Sequence, residues 1–103
     1  MAGVMARDAP FFDNDKKDYE AMNYTVYIIF SNQTNKFYVG QTEDFEKRFQ
    51  RHNNGLVKST KTGVPWKVIH TIACNNRSES MILESKIKGR GISRYLSDNS
   101  IAY

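Results

Sequence analysis

Two short β-prone runs separated by a turn constrain this chain more than any other feature: "YTVYIIF" at 24–30, "SNQTN" at 31–35 and "KFYVG" at 36–40. The first run is β-branched and aromatic with both faces apolar, as a central strand buried on two sides requires. The second resumes after a cluster of turn-forming polar residues, so the pair reads as an antiparallel hairpin. With the turn centred near Gln33, Tyr27 falls opposite or diagonal to Tyr38 or Val39, within side-chain reach across the pair. Strands favour aromatics in any case, so two facing tyrosines alone do not distinguish a core edge from a reacting centre.

The following segment adds chemistry to that hairpin. Thr42 or Asp44 can cap a helix running to about Asn53, with Phe45 and Phe49 one turn apart facing the core and Gly55 ending it. Arg48 and His52 are also four residues apart, so guanidinium and imidazole share a face of that helix. After the polar, basic loop "GLVKSTKTGVP", read as solvated, "WKVIHTI" alternates as a third strand, with Trp66, Val68, His70 and Ile72 on one side. A second helix covers "ESMILESKIK" from about Ser78 to Gly89 or Gly91, and a short third helix follows through "ISRYLSDN". On the second helix Glu84 sits between Met81 and Ile87 on the wheel. A carboxylate among apolar neighbours is costly to bury without a cation. The bland alternative is a surface ion pair with Lys88, one turn on.

These elements make an α/β (α+β) domain: a small, mainly antiparallel three-stranded sheet flanked by helices. A chain of 103 residues supports one such domain with one modest core. Residues 1–22 are polar and acidic with no strand or helix period, which reads as a flexible extension that Phe11 and Phe12 could pin to the body; Met22 could serve as an alternative start. Residues 23–103 form the domain. The formal charge of +4 is uneven, because residues 1–21 carry −2 and the remainder +6. That excess suits a polyanionic partner such as nucleic acid. The single Cys74 allows no internal disulfide and no Cys/His cluster has zinc spacing. With no secretory leader and no apolar stretch of the roughly 20 residues that span a bilayer, the expectation is a soluble cytoplasmic protein with no membrane association.

The order Tyr27, ten residues, "YVG" at 38–40, "DFEKRFQRHNNG", "PWKVIH" and "ESKIKGRG" resembles the GIY-YIG nuclease family, especially its small single-domain members and the N-terminal domain of UvrC. The likeness runs from Tyr24 to Leu96. "GIY" reads Thr25-Val26-Tyr27 here and "YIG" reads Tyr38-Val39-Gly40, so both tyrosines and the closing glycine stand while Thr25 replaces a glycine.

The resemblance implies a divalent-metal-dependent endonuclease that hydrolyses phosphodiester bonds in DNA, with RNA not excluded. Tyr27 and Tyr38 would line the site, Arg48 and His52 would face it, and Glu84 would hold Mg²⁺ or Mn²⁺. Asn99 is the candidate for an asparagine that family members use near the C-terminus. Arg48 can grip a phosphate bidentately. A tyrosine with an ordinary pKa of about 10 is a poor base at neutral pH, but a metal and Arg48 would favour the phenolate. Tyr27 is then the base and Tyr38 orients water or phosphate, with the two roles exchangeable.

Lys58, Lys61, Lys86, Lys88, Arg90 and Arg94 would surround the site and track a nucleic-acid backbone. No recognition-helix pattern for base reading is present, so selectivity is expected to rest on DNA structure, in a repair or recombination setting. Two rival readings are a catalytically silent nucleic-acid-binding module and a subunit that needs a protein partner for specificity.

Overall fold

The computed structural model describes residues 24–103; the extension at 1–22, with Phe11, Phe12 and Met22, lies outside the described residues. Strand β1 (Tyr24–Ser31) and strand β2 (Lys36–Thr42) form the hairpin, helix α1 (Phe45–Asn53) follows, and a 3-10 turn at Lys61–Gly63 leads to strand β3 (Trp66–Cys74). Helices α2 (Arg77–Arg90) and α3 (Ile92–Asp98) complete the described chain. The sheet order is β2-β1-β3, antiparallel throughout. This is the expected α+β architecture, with β1 as the two-sided central strand.

Local chemistry explains each boundary. In the hairpin loop Ser31 Oγ accepts from the backbone N–H groups of Gln33 and Thr34, at 3.1 Å each, and Asn35 takes the left-handed conformation at φ 59°. This four-residue loop sets Ser31 opposite Lys36 and hence Tyr27 opposite Gly40. Tyr38 is opposite Ile29, two places along the same face, so the tyrosines are diagonal neighbours. Of the two helix caps considered, Asp44 accepts from Lys47 N at 3.1 Å, while Thr42 Oγ1 accepts from Asp44 N at 3.1 Å just before it. Gly55, at φ 73°, ends α1 by donating to His52 O at 3.1 Å. Helix α2 begins at Arg77, one residue earlier than expected, because Asn76 caps it by accepting from Glu79 N at 2.9 Å. Gly91, at φ 96°, separates α2 from α3.

Two apolar layers cover the sheet. On one face Val26, Ile28, Val39, Cys74, Ile87 and Leu96 pack beneath α2 and α3. On the other, Tyr27, Ile29 and Trp66 pack with Tyr38, Phe45, Phe49 and Val64 beneath α1. Strict alternation along β3 fails at one point. Ile28 pairs with His70 but Ile29 pairs with Val68, leaving Ile69 as an extra residue. The bulge turns Trp66 and Val68 toward the α1 face and His70 and Ile72 toward the other. The expectation that all four share a side is therefore corrected.

Candidate active site

The α1 face of the hairpin gathers the tyrosines and the arginine–histidine turn. Tyr27 projects from the middle of β1 toward Phe45, with ring centroids 5.3 Å apart, and its ring centroid is 6.3 Å from that of Tyr38. Gly40 permits this placement: a Cβ there would lie 2.6 Å from the Tyr27 phenolic oxygen and 2.8 Å from Cζ. The closing glycine of the hairpin is thus a space requirement of the phenol opposite it. Thr25 stands in a regular ladder between Thr42 and Ala73, where a side chain is accommodated.

The phenol does not stand alone. Tyr27 Oη is 2.9 Å from His52 Nε2, and His52 Nδ1 is 2.7 Å from Thr60 Oγ1. His52 and Tyr27 are both fully buried, and Thr60 is 1% exposed. Burial, followed by the charges of Arg48 and Arg51, lowers the His52 pKa, so the ring is neutral at pH 7. A helix-end histidine held by the helix dipole would be charged and exposed; this one is neither.

Arg48 alone does not produce the phenolate that a metal and Arg48 together would favour. Burial raises the Tyr27 pKa well above the ordinary phenol value, the neighbouring Tyr38 adds to it, and the charge and hydrogen bonding of Arg48 offset only part. Tyr27 is therefore a neutral phenol, and desolvation outweighs the nearby guanidinium.

Glu84 acts on the same phenol from α2, its negative charge further raising the Tyr27 pKa. Its carboxylate pairs with Lys88 Nζ at 2.9 Å, the ion pair that the sequence offered as the bland alternative. Met81 is exposed, so the buried stripe of α2 runs through Ser80, Leu83 and Ile87, and Glu84 flanks it rather than sitting within it. Among the described residues no group of three or more His, Cys, Asp or Glu could hold a metal. A cation here would have Glu84 and depend on water and phosphate oxygens for its other ligands. That donor set fits Mg²⁺ or Mn²⁺, which keep several waters and need one or two carboxylates, and does not fit structural zinc.

The remaining sites separate. Lys88 lies within electrostatic reach of Tyr38. Lys58 and Lys61 are exposed on the loop that carries Thr60. Lys86 and Arg90 occupy another face of α2: Lys86 borders a groove lined by Ile72, Cys74, Ile82 and Leu83, and Arg90 grips Asp98 through two bonds of 2.7 and 3.0 Å. Arg94 is exposed on α3. Asn99 follows α3, where its amide donates to Tyr95 O at 2.8 Å and closes the helix end.

The residue that sequence reasoning missed is Thr60, in a loop read as solvated. Asn53 was missed too; it brackets Trp66, accepting from its N–H at 2.6 Å and donating to its carbonyl at 3.1 Å. The signal available was Trp66, whose indole N–H needs a buried acceptor and finds Thr60 O at 2.8 Å.

Comparison with known proteins places the chain in a family. The family profile of the GIY-YIG catalytic domain matches residues 23–95. The chain is 32% identical over 82 residues to the structure-specific endonuclease subunit slx1 of Schizosaccharomyces pombe, covering 73% of this chain and 30% of that protein. A UPF0213 protein of Lactococcus lactis subsp. cremoris is 35% identical over 63 residues, covering 60% of this chain and 62% of its own. A UPF0213 protein of Listeria welshimeri is 37% identical over 70 residues, covering 67% and 77%. The chain thus spans less than two thirds of the first two relatives. The solution NMR structure of a UPF0213 protein from Bacillus halodurans superposes with a TM-score of 0.49 at 28% identity, covering 77% of this chain and 84% of that one. The profile match spans most of the chain and includes every residue of the tyrosine, histidine and Glu84 constellation, and on that ground the chain belongs to the GIY-YIG nuclease family.

Proposed function

We propose that the protein is a metal-dependent endonuclease that hydrolyses phosphodiester bonds in DNA and selects its substrate by structure. The observation that carries the proposal is the Tyr27–His52 bond of 2.9 Å with Arg48 one helical turn from the histidine. A neutral tyrosine can accept a proton from the attacking water if it passes its own proton on as it does so. His52, held neutral, is the acceptor for that second transfer. Arg48 acts on the same phenol. On binding a phosphate bidentately it would leave the Tyr27 oxygen open to the attacking water and place positive charge where negative charge grows. Tyr38, only partly buried beside Tyr27 and His52, orients that water or the phosphate.

A divalent cation bound at Glu84 would supply charge neutralisation on the phosphoryl and departing oxygens. Lys88 must leave Glu84 for that, and because the lysine end of the pair is in solvent the contact is weak enough to exchange. Lys58 and Lys61 on the Thr60 loop and the cations of α2 and α3 provide backbone contacts without base reading. Selection by DNA structure is in line with the fission-yeast relative, a structure-specific endonuclease subunit, and such a cut fits repair or recombination. That relative is named a subunit, which favours a second reading in which a protein partner supplies specificity. The test is cleavage of supercoiled, nicked and branched DNA with Mg²⁺, Mn²⁺ or EDTA, beside Glu84→Gln and Arg48→Ala. Metal-dependent cutting lost in both variants supports the proposal. Undiminished cutting by Glu84→Gln refutes the metal site, and salt-sensitive binding without cutting favours the partner-dependent or silent module.

A further inference from the structure

His52 presents one ring nitrogen to Tyr27 and the other to Thr60, and which nitrogen carries the proton decides what the phenol can do. We infer that Thr60 is a positioning residue that holds His52 in its Nδ1–H form and so offers the Nε2 lone pair to the Tyr27 hydroxyl. The inference deepens the nuclease reading and rests on it for its kinetic consequence.

Thr60 sits in a loop rich in lysine, threonine and glycine, yet it is 1% exposed. Burying a hydroxyl is unfavourable unless it is hydrogen-bonded, so its place needs a partner. Its main chain is fixed from three directions: Thr60 N donates to Val57 O at 3.0 Å, and Thr60 O accepts from Gly63 N at 3.0 Å and from the Trp66 indole at 2.8 Å. Trp66 is in turn bracketed by Asn53, the residue after His52. The path from His52 through Asn53, Trp66 and Thr60 therefore closes back on the imidazole.

Proton accounting selects the tautomer. With the proton on Nδ1, that N–H donates to Thr60 Oγ1, the Thr60 hydroxyl donates to Val57 O at 3.4 Å, and the Tyr27 hydroxyl donates to Nε2. Every proton has an acceptor. With the proton on Nε2, the Thr60 hydroxyl must donate to Nδ1 and the imidazole to Tyr27, and the buried phenol proton has no acceptor among the described residues. An orphaned buried donor disfavours that form.

The test is ¹⁵N NMR of the His52 side chain together with DNA cleavage, in the wild type, Thr60→Val and Thr60→Ser. The wild type is expected to show the Nδ1–H signature. Thr60→Val, of nearly the same shape, is expected to populate the other tautomer and lower kcat by about tenfold to a hundredfold, as when a partner that orients a functional histidine is lost. DNA KM is expected to stay within about twofold, and Thr60→Ser to restore both readouts. A wild type in the Nε2–H form overturns the inference, whatever the variants do. So does a Thr60→Val protein with wild-type tautomer and kcat, or a folded Thr60→Ser protein as impaired as Thr60→Val. If the wild type cuts no DNA, the nuclease reading fails while the NMR arm still decides the role of Thr60.

Discussion

Gly40 lies directly opposite Tyr27 in the β1–β2 ladder, and the phenolic oxygen occupies the space that a side chain at Gly40 would fill. The hairpin is therefore built around the phenol rather than merely bearing it. Gly40→Ala would set a methyl carbon 2.6 Å from that oxygen, so the ring must shift and its 2.9 Å bond to His52 is disturbed. Overpacking of this kind is expected to cost about 1–3 kcal/mol. Denaturant unfolding should register that loss, and cleavage should fall further than the remaining folded fraction explains.

The burial of His52 has a signed consequence for pH. Its folded-state pKa lies below the unfolded value of about 6.5. Below that pH the unfolded chain binds a proton that the folded ring resists. The contribution is fully present above about pH 6.5 and is lost as pH falls toward the folded value. Chemical denaturation between about pH 5 and 7 is expected to show stability falling with acidification, with a shallower slope in His52→Gln.

Arg48 tests whether a fork or only a charge is needed. Arg48→Lys keeps the charge but loses the planar pair of donors, and is expected to lower kcat/KM by about 10²-fold or more. Because Arg48 is only partly buried, folding should be little changed. Single-turnover cleavage with enzyme in excess over DNA, at saturating and at sub-saturating enzyme, separates the chemical and binding parts. Equal activity of the lysine variant would contradict bidentate phosphate contact.

The Glu84–Lys88 pair should be dispensable for folding and restrictive for metal. Lys88 is largely exposed, and such pairs contribute about 0–1 kcal/mol. Lys88→Ala is therefore expected to unfold at nearly the wild-type midpoint while binding Mn²⁺ a few-fold more tightly in the absence of DNA, as followed by electron paramagnetic resonance. Glu84→Gln should abolish that binding.

Much of this arrangement was legible from residue order. The hairpin, the capped α1 with Arg48 and His52 one turn apart, and the two-sided β1 follow from local pattern. Three features did not. The choice between opposite and diagonal tyrosines is fixed by the four-residue loop, with Asn35 in the left-handed conformation, and residue type alone leaves both open. The bulge at Ile69 reverses which β3 side chains face α1, and periodicity cannot see an inserted residue. Thr60 reads as a solvated loop hydroxyl because its partners, His52 and Trp66, approach only through tertiary structure. The balance of charges on Tyr27 was half legible for a related reason: Arg48 was visible in the sequence, whereas the depth of burial that outweighs it was not.

The most direct test of the central claim is single-turnover cleavage of branched DNA by Tyr27→Phe, with DNA affinity measured in parallel. If Tyr27 takes the proton from the attacking water and relays its own to His52, the rate should fall by about 10²–10⁴-fold while affinity and folding are retained. Cleavage by Tyr27→Phe at the wild-type rate would contradict that role and leave Tyr27 as a packing residue.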